Sequence, residues 1–390
     1  MQTKKGLICF LFLCTAIALS SAQELELFDL PRARAGALGG THVASDSGFA
    51  ALFSNPAGLV GSEVEFSVSE ITIRSTGPIF SIASLVSQTL GGEDFGTLLA
   101  SPDVQRLLLN LYSRLSIVGP VSFGYVGEGL GFGLYNVTEL VTQTSGIGGF
   151  EARLGQRIVV RGGYGLEIPL PRAPRSELAA GISVKSFIRG DAVLSSSLVG
   201  LPSFVGSLSG NALSDAPFDL ITGIGIGVGA RYQWNDLLAA GLVLDNIYTP
   251  TAVLPYVSLD DFLDSTTPPP TAEYDTLPQE LTVGIAYTPA IPVVDRYVQD
   301  VTVLLDYRDA LDFWLDPDNA ENFLLKFGFG FQFTLLEILD IRAGLSEGLF
   351  AAGFGLDLSV VEVNASMYGT ELSAEPGLRP AYNIVIGLEF

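Results

Sequence analysis

Tyr382-Asn383-Ile384-Val385-Ile386-Gly387-Leu388-Glu389-Phe390, the end of the chain, alternates large apolar side chains with others without a break. A period of two puts Tyr382, Ile384, Ile386, Leu388 and Phe390 on one face of a strand. Chain ends tend to fray in water-soluble cores, so an apolar face that includes the last aromatic residue suits a strand closing a barrel in lipid. The expected fold is therefore all-β, a transmembrane antiparallel barrel.

Two internal stretches carry the same pattern. From Thr222 to Trp234, Thr222, Ile224, Ile226, Val228, Ala230, Tyr232 and Trp234 point one way, and Gly223, Gly225, Gly227, Gly229, Arg231 and Gln233 the other. From Leu325 to Phe333, Leu325, Phe327, Phe329, Phe331 and Phe333 form the outward set, opposite Lys326, Gly328, Gly330 and Gln332. Such strands cost little in hydrocarbon because their polar side chains face the lumen and their backbones pair with neighbours. A soluble sandwich would be equally periodic with its apolar set inside. Its single core would have to serve an unusual number of strands, and so many glycines opposite the apolar face suggest a crowded interior.

The pattern predicts strands near 62–75, 119–127, 130–142, 156–168, 177–190, 219–234, 237–248, 279–288, 298–308, 323–335, 338–345, 349–359, 360–370 and 380–390. That is about 14, an even number, as single-chain outer-membrane barrels have. If the first strand rises from the periplasm, the short links at Gly127-Glu128-Gly129, Asn235-Asp236, Leu336-Glu337 and Ser359-Val360 all fall on the periplasmic side. The long links at 76–118, 191–218 and 249–278 then fall outside, and both termini are expected in the periplasm.

The amino-terminal end agrees with that address. Lys4 and Lys5 precede an apolar run from Leu7 to Leu19 and then Ser20-Ser21-Ala22, which reads as a secretory signal peptide over 1–22. Cys9 and Cys14 are the only cysteines and would leave with it, so neither a disulfide framework nor a cysteine metal site is expected. Hydrophobic residues make up 48% of the chain, yet no segment after the signal reaches the apolar length of a transmembrane helix. Without Lys4 and Lys5 the 20 basic residues fall to 18, against 42 acidic ones. This balance argues against a nucleic-acid partner, and acidic loops would keep an exposed rim hydrated.

Between the signal and the first strand lies the most distinctive local sequence. It runs Arg32-Ala33-Arg34-Ala35-Gly36-Ala37-Leu38-Gly39-Gly40, then Ala44-Ser45-Asp46-Ser47, then Leu52-Phe53-Ser54-Asn55-Pro56-Ala57-Gly58-Leu59. Its glycines and Asn-Pro step favour compact turns over a strand. Here the chain resembles the long-chain fatty-acid transporter (FadL) superfamily, including PorV-like relatives that serve secretion systems and spirochaete-type members. The resemblance continues through Ile182-Ser183-Val184-Lys185, Leu277-Pro278-Gln279-Glu280-Leu281-Thr282-Val283-Gly284 and Ile341-Arg342-Ala343-Gly344-Leu345. It implies that residues 23–61 form an N-terminal plug inside a barrel over 62–390, with Asn55, Pro56, Ala57 and Gly58 as the plug motif. It also implies that the closing strand ending in Phe390 is how such barrels meet the barrel-assembly machinery. Asp46, Arg32 and Arg34 could pair with wall charges, of which Arg157, Arg161, Lys185, Lys326, Arg342, Asp306, Asp340, Asp357 and Glu362 are predicted to point inward.

Ser101-Pro102-Asp103 reads as a helix start leading into Val104, Leu107, Leu108, Leu111 and Leu115 at helical spacing. Such a helix at the barrel mouth could present Leu107, Leu108, Leu111 and Leu115 to a hydrophobic small molecule, or simply pack over the mouth. Catalysis is a poor fit. The single histidine, His42, lies in the plug segment, leaving the barrel strands without one for a nucleophile or a metal. The acidic runs Asp260-Asp261-Asp264 and Asp312, Asp316, Asp318 and Glu321 lack the spacing of a calcium loop. No cofactor and no metal is expected. The sequence points to a plugged barrel in outer-membrane lipid that passively admits long-chain fatty acids or other small hydrophobic molecules. The alternative is a PorV-like barrel acting in secretion or surface assembly through its outer loops, such as 249–278 and 309–322.

Overall fold

The computed structural model describes residues 32–78, 101, 111–145, 149–171, 175–197, 211–289, 298–315, 317, 320–358 and 361–389. The expected signal peptide, Leu107, Leu108 and Phe390 lie outside these residues.

Among the described residues, seventeen strands form one sheet. They are β1 (Glu65–Ser67), β2 (Glu70–Gly77), β3 (Tyr112–Gly127), β4 (Leu130–Ser145), β5 (Gly149–Ile168), β6 (Ser176–Ser197), β7 (Phe218–Trp234), β8 (Leu238–Tyr248) and β9 (Pro250–Tyr256), followed by β10 (Glu273–Thr276), β11 (Glu280–Tyr287), β12 (Val298–Tyr307), β13 (Phe327–Leu335), β14 (Leu339–Ser346), β15 (Leu349–Asp357), β16 (Glu362–Glu371) and β17 (Pro380–Glu389). Every pairing is antiparallel. The ring closes where β17 pairs with β2, Val385 opposite Arg74 and Leu388 opposite Ile71. Three short strands extend existing staves. β1 continues β2 along β3, β9 continues β8 along β7, and β10 continues β11 beside β9. The barrel therefore has fourteen staves, the number that the alternation predicted.

The staves are held in register by tight turns at one end. Glu128-Gly129 is a two-residue turn and 235–237 and 336–338 are three-residue turns, with positive φ at Glu128, Gly129, Asn235, Asp236, Leu336 and Glu337. The opposite end carries the longest links, 78–111, 198–217 and 257–272 among them, along with the short link at 146–148 and the tight turn at Glu347-Gly348.

Polarity is inverted relative to a soluble protein. Ile188 is 55% exposed and Ile224 58%, and Val160, Leu166, Ile182, Phe329 and Ile386 share that outer face. Inward lie Arg114, Glu139, Arg189, Asp191, Lys326 and Arg342, all buried, with Arg157 and Asp306 at only 1% exposure. An apolar outside around a charged inside is stable only where lipid replaces water as the outer solvent, so this is a membrane-spanning barrel.

The staves are unequal. β3 to β7 run 16 to 22 residues, whereas β11 to β17 run 8 to 10. About 9–11 residues suffice to cross a bilayer, so β3 to β7 project well past it at the long-link end. The apolar outer face of that extension is covered by its own chain. Ala192, Ala216 and Phe218 are buried beneath Leu213, Tyr256, Leu259 and Phe262, supplied by β9 and by the short helices α3 (Asn211–Ser214) and α4 (Leu259–Leu263).

Two expectations need correction and one needs qualification. β3 starts at Tyr112, earlier than 119, so Leu115 is a strand residue opposite Leu140 and Ser75, 39% exposed on the lipid face, and not part of a mouth helix. Leu325 belongs to a one-turn 3-10 helix, Phe323–Lys326, and is buried. Asp357 keeps the inward parity of Gly353 and Gly355, but at the end of β15 it stands exposed at the rim.

Candidate functional site

Residues 32–61 lie inside the ring. Their helix α1 (Ala33–Ala37) touches β14 to β17, α2 (Gly48–Phe53) touches β3 to β5, and a 3-10 turn at Pro56–Leu59 touches β5 to β7. Only a segment within the lumen can reach strands on opposite sides of the barrel.

Glycines make room for it. A Cβ on Gly229 would come within 2.0 Å of the Asn55 Oδ1, one on Gly181 within 2.4 Å of the Pro56 carbonyl carbon, and one on Gly241 within 2.4 Å of the Val43 oxygen. Those contacts explain why lumen-facing positions in β6, β7 and β8 carry no side chain.

Asn55 is the pivot of this seat. It is 1% exposed. Its Nδ2 donates to the carbonyls of Val43 and Ala230, both at 3.0 Å, and its Oδ1 accepts from the Ala57 N–H at 3.1 Å, capping the turn that Pro56 opens. Pro56, Ala57 and Gly58 are buried with it. A second anchor is Asp306 on β12, whose carboxylate accepts the His42 N–H at 2.7 Å and the Val43 N–H at 3.1 Å. The third is aromatic. Phe53 stacks edge-on against Tyr135 at 4.9 Å, with the Arg161 guanidinium 5.4 Å from its ring.

Asp46 pairs within the segment. Arg32 reaches it at 3.1 Å and Arg34 at 2.9 Å, so these three residues brace each other rather than the wall charges. Burial raises the Asp46 pKa, but Arg34 and Arg32 more than offset that and leave the carboxyl below its ordinary range. The wall contact comes from Arg231, which donates to the Asp46 backbone oxygen at 3.3 Å. A cavity of about 190 Å³ lies here between segment and wall, lined by Arg34, Ser45, Arg231, Gln233, Thr288 and Gln332 among others.

The wall charges form clusters inside the ring. Glu139 on β4 gathers Arg114 of β3, Arg157 of β5 at 3.7 Å and Arg74 of β2 at 3.8 Å. Asp245 on β8 takes Arg161 of β5 at 3.2 Å and Lys185 of β6 at 3.0 Å, while Arg342 bonds Asp340 on its own strand and Asn364 on β16. Several of these pairs reach across one or two intervening staves and so stiffen the cylinder.

One seam in the wall is irregular on both sides of β3. Ladder pairing between β3 and β4 shifts between Val118 and Ser122, and at the same height β1 and β2 are interrupted at Val68 and Ser69. Gly119 has φ +84°, and a Cβ there would lie 1.8 Å from the Glu70 oxygen, so only glycine fits. Serine hydroxyls stand in for ladder bonds. Ser122 Oγ accepts the Glu70 N–H at 2.5 Å and Ser69 Oγ donates to the Pro120 oxygen at 3.2 Å. Val64, Phe66, Val68, Val121 and Phe123 are exposed around the seam. On the luminal side, Phe49 of the inner segment packs at Gly124.

Of the predicted site residues, Asn55, Pro56, Ala57 and Gly58 come together as one buried turn. Leu111 is buried just before β3, and Leu115 is separated from it on the lipid face. Asp306, predicted to point inward, does so but accepts the His42 and Val43 N–H groups instead of pairing with Arg32 or Arg34, and the seam and the packing of Phe53 have no counterpart in the sequence reading. Gly119-Pro120 inside an otherwise continuous strand pattern was the available signal for the seam.

These features define a membrane-spanning barrel of outer-membrane type whose lumen holds its own amino-terminal segment. Among solved structures the chain is similar to the toluene transporter TbuX of Ralstonia pickettii, with 14% identity over 93% of this chain and 98% of that one, at a TM-score of 0.47. It is also similar to the CymD monoaromatic hydrocarbon channel, with 13% identity over 92% and 96% and a TM-score of 0.49. A FadL homologue of Pseudomonas aeruginosa shows 9% identity over 93% and 98%, with a TM-score of 0.45. No protein-family model matches the chain. No curated protein matches it either.

Proposed function

We propose that this barrel passively admits small hydrophobic molecules, long-chain fatty acids among them, across the outer membrane, with residues 23–61 as its plug and the short-turn end in the periplasm. The observation that carries the reading is the seam at Gly119–Ser122. It is an irregular stretch of wall, fastened by two serine hydroxyls, with apolar side chains outside and the plug directly behind it. A side-chain hydrogen bond contributes only about 1 kcal/mol net, so parting this seam costs far less than parting a full ladder. An apolar solute that meets the plug would leave sideways into lipid there, avoiding the buried charges of the lumen. Asn55 to Gly58 hold the plug in place, and the polar cavity beside Arg34 and Arg231 gives it room to shift. Leu111 stays with this proposal as an apolar residue at the long-link end, while Leu115 contributes to the lipid face.

The test is uptake. Cells carrying the full chain should accumulate a labelled fatty acid or aromatic hydrocarbon faster than cells lacking it, and the purified barrel should retain such a molecule in native mass spectrometry. Equal uptake with and without the chain, together with a stoichiometric protein bound to the outer loops, would overturn the proposal in favour of an assembly role.

A further inference from the structure

A second apolar feature sits at the long-link rim, on the opposite side of the ring from the extended staves. Helix α5 (Asp312–Leu315) presents Phe313, Trp314 and Leu315, which are 70%, 79% and 57% exposed, and Phe323 and Leu324 stand exposed next to β13. Five large apolar side chains turned outward in one short link are not the signature of a hydrated loop.

They are also not loose. Lys326, itself buried, bonds the Asp312 carboxylate and donates to the Asp309 carbonyl at 3.1 Å, and the Asp312 carboxylate also accepts the Glu321 N–H at 3.0 Å. Asn322 ties the other limb to the β16–β17 link through Glu375 at 3.1 Å and the Ala374 carbonyl at 3.0 Å. The polar side of the link is thus spent on the barrel. Its apolar side is held outward.

What lies below decides the occupant. Phe329 and Leu305 face lipid, and above them Tyr307 and Phe327 pack at 4.9 Å on the same face. Phe323 and Leu324 stand exposed in the 3-10 turn that leads directly into Phe327. We propose that Phe313, Trp314 and Leu315, together with Phe323 and Leu324, form an interfacial anchor that lies on the outer-leaflet lipid surface, seating Phe313 and Trp314 at headgroup depth and fixing the height of the short-stave side of the barrel. Aromatic side chains favour that zone because their rings are apolar and their edges tolerate water. Trp234, 44% exposed at the short-turn end, marks the other interface. The inference rests on the membrane-barrel reading and adds the outer rim's partner, lipid in place of a docked protein.

The chain has two tryptophans, which makes the test direct. In Trp234→Phe only Trp314 emits, and in Trp314→Phe only Trp234 does. Each full-length variant is reconstituted in phosphatidylcholine vesicles brominated either near the headgroup or near the acyl-chain end. Trp314 should lose most of its emission to the shallow bromines and less to the deep ones, as Trp234 should. Quenching of Trp234 without Trp314 would overturn the inference while leaving the membrane barrel standing. If neither were quenched, the barrel reading itself would fall, and the anchor with it. Shielding of Trp314 that tracked protein density rather than bromine would assign the patch to a second copy, and would also overturn it.

Discussion

The side-chain amide of Asn55 donates to the backbone carbonyl of Ala230 at 3.0 Å, joining the inner segment to β7 across 175 positions of sequence. The same amide holds the Val43 carbonyl, so one side chain ties two turns of the segment to the wall.

Replacing that side chain should unseat the segment and spare the barrel. Asn55→Ala leaves two buried carbonyls and the Ala57 N–H without their partner, a loss of roughly 2–4 kcal/mol. Hydrogen exchange in residues 32–61 should rise while β3 to β7 stay protected.

Glycine contacts make a sharper contrast. Gly181→Ala drives a methyl into the backbone of Pro56 and Ala57, whereas Gly162→Ala meets nothing nearer than 3.7 Å. The first should cost about 1–3 kcal/mol or more as overpacking and expose the segment to protease. The second should fold and resist protease like the parent.

Asp46 gives the seat a pH dependence. Its folded pKa is depressed, so its pairing with Arg34 and Arg32 stabilises fully at neutral pH and is lost as pH falls through the folded value, below the ordinary carboxylate range. Hydrogen exchange across residues 32–61 should therefore increase on acidification, and Asp46→Asn should flatten that response while weakening the segment at neutral pH.

Glu139 should matter for the cylinder itself. Glu139→Gln removes the carboxylate shared by Arg74, Arg114 and Arg157, and breaking a buried ionic group of this kind costs about 3–5 kcal/mol. The expected readout is a lower urea midpoint for barrel unfolding, with uptake unaffected in the fraction that remains folded.

Most of the barrel was legible because alternation has no competitor over long strands. Ile224, Ile226 and Val228 against Gly225, Gly227 and Gly229 read only as a strand, and closure by the strand at the end of the chain follows from the same period. The glycines even announced a crowded lumen. Leu111 and Leu115 show where the reading failed. A spacing of four falls on one face of a helix and equally on one face of a strand, so periodicity alone could not separate the two. Leu325 keeps strand parity with Phe327 but sits in a turn capped by Asn322, a local bond that outweighs the pattern. The seat itself had no local signature, since Asn55 with Ala230 and His42 with Asp306 are partners only through the closed ring.

Hydrophobic molecules that leave through the seam, as proposed, must part it, and a reversible staple across it would stop them. Glu70 and Ser122 are already joined at 2.5 Å across the seam, and the only native cysteines, Cys9 and Cys14, fall within the expected signal peptide. Glu70→Cys with Ser122→Cys should form a disulfide that abolishes uptake of a labelled fatty acid and restores it on reduction, with surface level and fold unchanged. Undiminished uptake through the oxidised, stapled barrel would contradict the account.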